Sequence, residues 1–381
     1  MNQARKFTFY EFFAGGGMAR AGLGQSWECI FANDFDETKA ESYRRNWGSD
    51  HLHVKDVRDV ESRDLPGKAD LAWASFPCQD LSLAGNRLGL KSERSGSFWA
   101  FWKLMNELRQ EERNPKIILL ENVYGALTSN YGKDFAALCS SLVEIGYMVG
   151  AVVINAAHFV PQSRARLFVV AIRSDLDIPS EIVAKGPNPI WHPSALLKAG
   201  QKFSEDVINH WVWWDLPIPG QREYNLIDLI EDVPTGVVWR TDTETKALIE
   251  MMSEVNRRKV EQAQSAGRPM VGGIYRRTRN GEQRAEVRFD NISGCLRTPS
   301  GGSSRQLLLI VDGEQVRSRL LSPREAARLM GLDDAYILPD NYNAAYHLAG
   351  DGVVVPVVEH LSNNILTSIL RDSQREHKQV A

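Results

Sequence analysis

From Lys6 to Arg173 strand-like and helix-like segments alternate, and few folds accept that order. KFTFYEFFA reads as a strand, followed by a Gly-rich turn and a helix beginning in GMARAGLGQS. ECIFAND, DLAWASFP and KIILLENV read as further strands, separated by the helical stretches DETKAESYRRNW and FWAFWKLMNELRQEE. The helix DFAALCSSLVEIG and the strands MVGAVVINAA and RLFVVAIR complete the series. Such alternation predicts an α/β domain built on a parallel, doubly wound sheet. In that fold ligands bind beyond the carboxyl ends of the strands.

After about Ser174 the alternation stops. IPSEIVAKGPNPIWHPS is rich in Pro and Gly, and the chain to about Pro339 reads as loop with some β structure. At 381 residues the chain is long enough for two domains. We place them at 1–178 and 179–339, with a C-terminal segment, 340–381, returning to the first domain. Within that layout SPREAARLMGL is a short helix with an N-cap serine and proline at its first position. VVVPVVEHLSNNILTSILR is an amphipathic helix.

Charged residues make up 24% of the chain and the net charge is -3, so nucleic acid would be met by a local basic cleft. No apolar run is read as long enough to span a membrane, and MNQARKFTFY lacks a signal-peptide core. The four cysteines include no C-x-x-C pair, which argues against a metal site or disulfide framework and for a reducing, cytoplasmic setting.

Four constellations carry chemistry. In FFAGGGMARAGLG the glycines at Gly15 and Gly17 let backbone approach a ligand, but the pattern is F-x-G-x-G and not a pyrophosphate cradle. Asp34 ends the second strand, where a carboxylate can accept from both ribose hydroxyls, and Phe35 or Phe13 can stack on a purine. Capping of the next helix by Asp34 or Asp36 is the competing reading. Asp56 in VKDVRD is a candidate for an adenine amino group. Cys78 follows Pro77 just beyond a strand end, where a thiolate would be a strong nucleophile. Glu121 ends the fourth strand, and enclosure there would favour its protonated form. Arg164 and Arg166 lie two apart near a strand start, hence on one face, and suit a carbonyl and a phosphate. Arg276, Arg277, Arg279, Arg284 and Arg288 crowd the stretch from Tyr275 to Arg288, which reads as a DNA contact or as a solubilising hairpin. Trp211, Trp213 and Trp214 read as core.

FAGGG, ANDFD, FPCQDLS, ENV, QSRARLF, RLLSPREAARLMG and YHLAGDGVVVPVV follow one another in that order. This series resembles the DNA (cytosine-5) methyltransferases over most of the chain. The resemblance implies a Rossmann-like catalytic domain binding S-adenosyl-L-methionine, with S-adenosyl-L-homocysteine as product. A smaller, loop-rich target-recognition domain would lie between QSRAR and SPREA. It implies Cys78 as nucleophile, Glu121 as the acid on the base, Arg166 at the cytosine carbonyl and Arg164 as its companion near the nucleophile and DNA backbone. Phe13, Gly15, Gly17, Asp34, Phe35, Asp56, Val57, Pro77, Asp351 and Val353 match cofactor positions; Gln79, Arg276, Arg277 and Arg279 fall to DNA. Arg94-Ser95-Gly96 resembles the end of the family's mobile catalytic loop. The partner would be double-stranded DNA, met by a monomeric, cytoplasmic, nucleoid-associated enzyme that needs no cognate endonuclease for catalysis. Two departures stand out: Gly350-Asp351-Gly352 where the family has Gly-Asn, and Cys295-Leu296 where it has Thr-Leu. A tRNA methyltransferase on the same catalytic domain, a catalytically silent homologue and a cysteine hydrolase are the rival readings.

Overall fold

The computed structural model describes residues 5–77, 96–279, 281–297 and 305–379. Two compact units are present: residues 1–154, 165–218 and 355–381 form the first, and 155–164 with 219–354 the second.

The first unit holds a seven-stranded sheet. Its strands are β1 (Phe7–Phe12), β2 (Trp27–Asp34), β3 (Leu52–Val54), β4 (Leu71–Ala74), β5 (Ile117–Val123), β6 (Tyr147–Asn155) and β7 (Ala165–Arg173). They lie in the order β3-β2-β1-β4-β5-β7-β6. The pairs β1–β2, β1–β4, β2–β3 and β4–β5 are parallel. β7 runs antiparallel to β5, so the sheet is mixed and the all-parallel expectation fails at this edge. A parallel return needs a crossover of a dozen or more residues, usually a helix, and 156–164 is too short to supply one.

Helices α1 (Met18–Leu23), α2 (Glu37–Trp47), α3 (Ser97–Gln110) and α4 (Lys133–Glu144) connect the strands. Asp36 starts α2 by accepting from the backbone N–H of Thr38 and Lys39. β1 alternates its faces. Tyr10 and Phe12 join Phe31, Phe98, Phe101 and Leu104 in one core cluster, while Glu11 faces the other way.

The composition break at Ile178 is not the unit boundary. Leu196, Ala199 and Val207 pack into the same cluster as Phe135 and Leu138 of α4. Trp211 bridges to Val149 of β6, and Trp214 is fully buried. Two short helices, Ser194–Gly200 and Glu205–Asn209, carry Leu196, Ala199 and Val207 into that cluster, so the unit runs to Ile218. The C-terminal segment rejoins it at Val355. There it packs on α1, with Gly22 against Val358 and the Trp27 indole N–H donating to Ser362 Oγ at 3.0 Å.

The second unit carries a four-stranded antiparallel sheet of β8 (Met270–Arg279), β9 (Glu282–Arg288), β10 (Leu307–Asp312) and β11 (Gln315–Leu320), in the order β11-β10-β8-β9. Ile274, Ala285, Val287, Leu307, Leu309 and Val311 form its core with Leu248 and Val260. The helix expected in SPREA is present at Pro323–Leu329. Ser322 caps it, and Glu325 completes the capping box. Among the described residues the run Tyr342–Ser373 has the length and hydropathy of a membrane span, contrary to the sequence reading, but 61% of its most apolar window is buried in the protein. A core helix meets the same criterion.

Candidate active site

The parallel strands deliver their carboxyl ends to one edge of the first unit, in the order Asp34, Phe12, Ala74, Val123. β7 starts on that edge because it is antiparallel, with Arg166 opposite Val123. The sheet topology therefore assembles the Gly-rich turn, Asp34, the Phe76-Pro77 exit, Glu121 and Arg166.

Phe13, Gly15 and Gly17 have φ of 56°, 54° and 76°, so the turn is left-handed at three places. A side chain on Gly17 would collide with Trp47, whose indole N–H donates to the Gly16 carbonyl at 2.9 Å. Gly17 thus serves packing. Gly15 is different: nothing lies within 4 Å of where its Cβ would be, so the backbone borders open space. Asp34, 6% exposed, accepts from the Gly15 N–H at 2.8 Å through Oδ2 and from the Asp36 N–H at 2.9 Å through Oδ1. Burial pushes its carboxyl upward, and those N–H donors oppose the shift. Helix capping falls to Asp36 alone. Each Asp34 oxygen keeps a second lone pair. Beside it Phe35 is 69% exposed, an apolar ring held in the open. A cradle at Gly15, a buried carboxylate and an exposed ring together fit an adenosyl group. Asp56 fits less simply: its carboxylate caps the Val57–Asp59 turn and takes a two-pronged ion pair from Arg58, which holds it below the usual carboxylate range. Val57 is buried in the core cluster.

At the centre of the edge Phe76 is buried against Phe98, ring centroids 5.2 Å apart, and Pro77 is exposed. Cys78, Gln79, Arg94 and Ser95 lie outside the described residues. Glu121 is 6% exposed, and its Oε1 stands 3.2 Å from Arg166 Nε. The expected enclosure is real, but it includes a cation. The sequence reading missed Asn122: its Nδ2 donates to the Phe76 carbonyl at 3.0 Å and its Oδ1 accepts from the Val123 N–H at 2.9 Å. It fastens the Glu121 strand end to the chain two residues before Cys78. Its place inside ENV was the available signal.

Arg164 takes different partners from Arg166. It belongs to the second unit, is 2% exposed, and donates to the carbonyls of Leu296 at 3.0 Å, Gly350 at 2.8 Å and Gly352 at 2.7 Å. One Nη also lies 3.4 Å from Cys295 Sγ, so the thiol at that departure faces Arg164. The guanidinium ties backbone segments together, and strand alternation misplaced it because β7 begins only at Ala165. Gln162, fully buried, does likewise, binding the Leu329 carbonyl and the Leu296 N–H. Asp351 is exposed at the end of the helix Tyr342–Asp351, and Val353 is buried, both in the second unit.

The basic stretch from Tyr275 to Arg288 is the β8–β9 hairpin. Its arginines do not share a face. Arg276 is paired with Ala285 on the core side and partly desolvated, which pulls it down from the usual arginine range. Arg277 and Arg284 stand opposite one another on the other side, 56% and 52% exposed. Glu286 lies 4.0 Å from Arg277, and Glu282 lies 3.6 Å from Arg284, so the surface charge is partly balanced. The Arg279 side chain lies outside the described residues. Among the described residues no cluster of His, Cys, Asp or Glu could hold a metal ion.

The model of the C-5 cytosine-specific DNA methylases matches residues 7–367. The chain belongs to this family. As a DNA cytosine-5 methyltransferase it is similar to the type II methyltransferase M.HhaI of Haemophilus parahaemolyticus, 25% identical over 374 residues covering 96% of each chain. M.HpaII of Haemophilus parainfluenzae is 26% identical over 388 residues, covering 97% of this chain and 91% of its own. In fold it is similar to the Dnmt2 methyltransferase of S. pombe, with TM-score 0.59 and 19% identity over 97% of this chain and 99% of that one. The Spodoptera frugiperda DNMT2 mutant gives TM-score 0.60 and 18% identity, over 96% and 100%. The family is of the S-adenosylmethionine-dependent class.

Behind the methyltransferase edge, burial pushes the Glu11 carboxyl up to about 8, against the Arg20 backbone N–H, the Arg20 charge and the Tyr43 hydroxyl. The folded protein therefore keeps a proton that the unfolded chain has released above roughly pH 4.5. Stability from this group is full below the unfolded value and is lost as pH rises through about 8. Glu11→Gln should flatten the fall of urea-unfolding stability between pH 5 and 8, by at most about 1.4 kcal/mol per pH unit.

Proposed function

We propose that this methyltransferase transfers a methyl group from S-adenosylmethionine to C5 of a cytosine flipped out of a specific duplex DNA sequence, through a covalent bond from Cys78 to C6. The observation that carries the reading is the pair of buried Glu121 and half-buried Arg166, 3.2 Å apart on adjacent strands, beside the strand exit that Asn122 fastens just before Cys78. A cytosine offers N3 and O2 next to each other, and a carboxyl beside a guanidinium matches that edge.

C5 of cytosine is a poor nucleophile until the Cys78 thiolate adds at C6 and converts the ring to an enamine. Glu121 bonds or protonates N3 as the sulfur adds, and Arg166 steadies the charge that grows at O2. S-adenosylmethionine, when bound, supplies an electrophilic methyl group. Phe13, Gly15 and Gly17 would border it, Asp34 would take the ribose, Phe35 the adenine face, and Asp56, Val57 and Pro77 its remaining contacts. Loss of the C5 proton and departure of Cys78 as thiolate then restore the aromatic ring. The target carbon is inaccessible in a stacked duplex, so the base leaves the helix at a cost of a few kcal/mol. The second unit is the target-recognition domain in this reading, and the exposed Arg277–Arg284 side of its hairpin faces DNA. Gln79 and Arg279 complete the DNA contacts, while Arg276, turned toward the core, does not join them. Arg164 orders the second unit's loops and does not touch phosphate. The enzyme acts as a monomer in the cytoplasm, at the nucleoid, and its catalysis requires no cognate endonuclease.

Bisulfite sequencing of DNA from cells producing the chain gives the target. An oligonucleotide with 5-fluorocytosine at that target should then form an irreversible adduct with Cys78 when methyl donor is present, because fluorine blocks the final proton loss. Protected cytosines without an adduct would refute the covalent step; no protected cytosine would refute the reading as a whole.

A further inference from the structure

The loop that follows Glu121-Asn122-Val123 holds three successive residues in left-handed backbone: Asn130 (φ 47°), Tyr131 (φ 58°) and Gly132 (φ 83°). For residues with a Cβ this conformation costs about 1–2 kcal/mol each, and a bulky aromatic has no local hydrogen bond to offset it. Two devices hold the loop there. Asp134, 1% exposed, accepts from Ser129 Oγ at 2.6 Å and from Asn130 Nδ2 at 3.2 Å. Gly132 is pressed on Ala199, whose Cα lies 3.1 Å from where a Cβ would stand. The result is a tyrosine ring 87% exposed, so the strain secures no burial for it. Backbone strain that the surroundings over-determine marks functional positions.

Its place in the fold says what the ring meets. The loop joins the carboxyl end of β5 to the start of α4, so it stands on the same edge as Glu121, Phe76 and Asp34. Resting on the reading of that edge as the place where a cytosine leaves its duplex, we propose that Tyr131 is a DNA-contacting residue whose ring lies against a base or sugar face next to the extruded nucleotide. A disrupted stack exposes such faces, and an aromatic side chain covers them with a contribution of about 1–3 kcal/mol per base. A backbone preset in one conformation loses little entropy on contact.

The test uses the full-length chain, sheared unmethylated genomic DNA and S-adenosylhomocysteine in filter binding, with radiolabelled methyl transfer measured in parallel. Tyr131→Gly and Tyr131→Asn both tolerate the left-handed backbone. Each should weaken DNA binding by about 5- to 150-fold and leave cofactor affinity unchanged. Neither should lower the melting temperature, because strain is relieved. Tyr131→Phe should bind like the parent. The salt dependence of binding should not change, since no phosphate contact is removed. DNA affinity and kcat/KM of Tyr131→Gly within twofold of the parent would overturn the proposal while leaving the methyltransferase reading intact. A parent that neither binds nor methylates DNA would sink both. A melting temperature lowered along with DNA affinity would make Tyr131 a structural residue and also overturn it.

Discussion

Cys78→Ser should abolish methyl transfer, by on the order of 10⁴-fold or more in kcat/KM, while S-adenosylmethionine binding is retained. Removing a covalent nucleophile leaves only positioning and electrostatic assistance. A serine hydroxyl is scarcely ionised near neutral pH, so it cannot replace the thiolate in adding to C6. The cofactor cradle proposed at Gly15, Asp34 and Phe35 lies on other loops, which is why its occupancy should survive. Equilibrium binding of the methyl donor, measured beside single-turnover transfer to DNA, separates the two. Transfer at a rate near the parent's would rule out covalent catalysis through this residue.

Arg319→Met should be the most damaging substitution in the second unit, costing about 3–5 kcal/mol. Arg319 and Glu325 are both wholly buried and share two hydrogen bonds, at 2.6 and 2.7 Å. Glu325 also accepts from the backbone N–H of Glu231 and Ser322, each at 2.8 Å, and Arg319 donates to the Glu231 carbonyl at 3.3 Å. Deleting the guanidinium leaves a wholly buried carboxylate without its hydrogen-bonded ion-pair partner, and that desolvation cost is the source of the loss. Arg319→Met combined with Glu325→Leu removes both charges and should recover part of the stability. Urea unfolding of the parent, the two single variants and the double variant measures the coupling directly. A double variant no more stable than Arg319→Met would mean that the ion pair contributes nothing beyond packing.

The basic hairpin and the SPREA helix differ in how readable they were. SPREA announced its own start, because Ser322 and Pro323 act on backbone groups within one turn. The same five letters did not announce that Glu325 also closes an ion pair with Arg319, since that partner comes from β11. In the hairpin, the density of five arginines read as a DNA contact or as a solubilising hairpin. Pairing of Arg276 with Ala285 turned one of them toward the core, and only strand register could decide that.

By itself the amino-acid sequence determined what depends on near neighbours and on order: the strand–helix alternation, the helix caps, and the motif series from FAGGG to YHLAGDG that marks the family. Periodicity and capping are local, so they survive without knowledge of what packs where. Tertiary structure alone decided what depends on distant partners. It reversed β7, because 156–164 cannot carry a crossover. It drew the Pro-rich stretch after Ile178 into the first unit, because Leu196, Ala199 and Val207 pack into that unit's core. It also parted Arg164 from Arg166, two residues apart in the chain, sending one guanidinium to backbone carbonyls and the other to Glu121. A side chain's role is set by the charges and lone pairs that folding places around it, and those come from elsewhere in the chain.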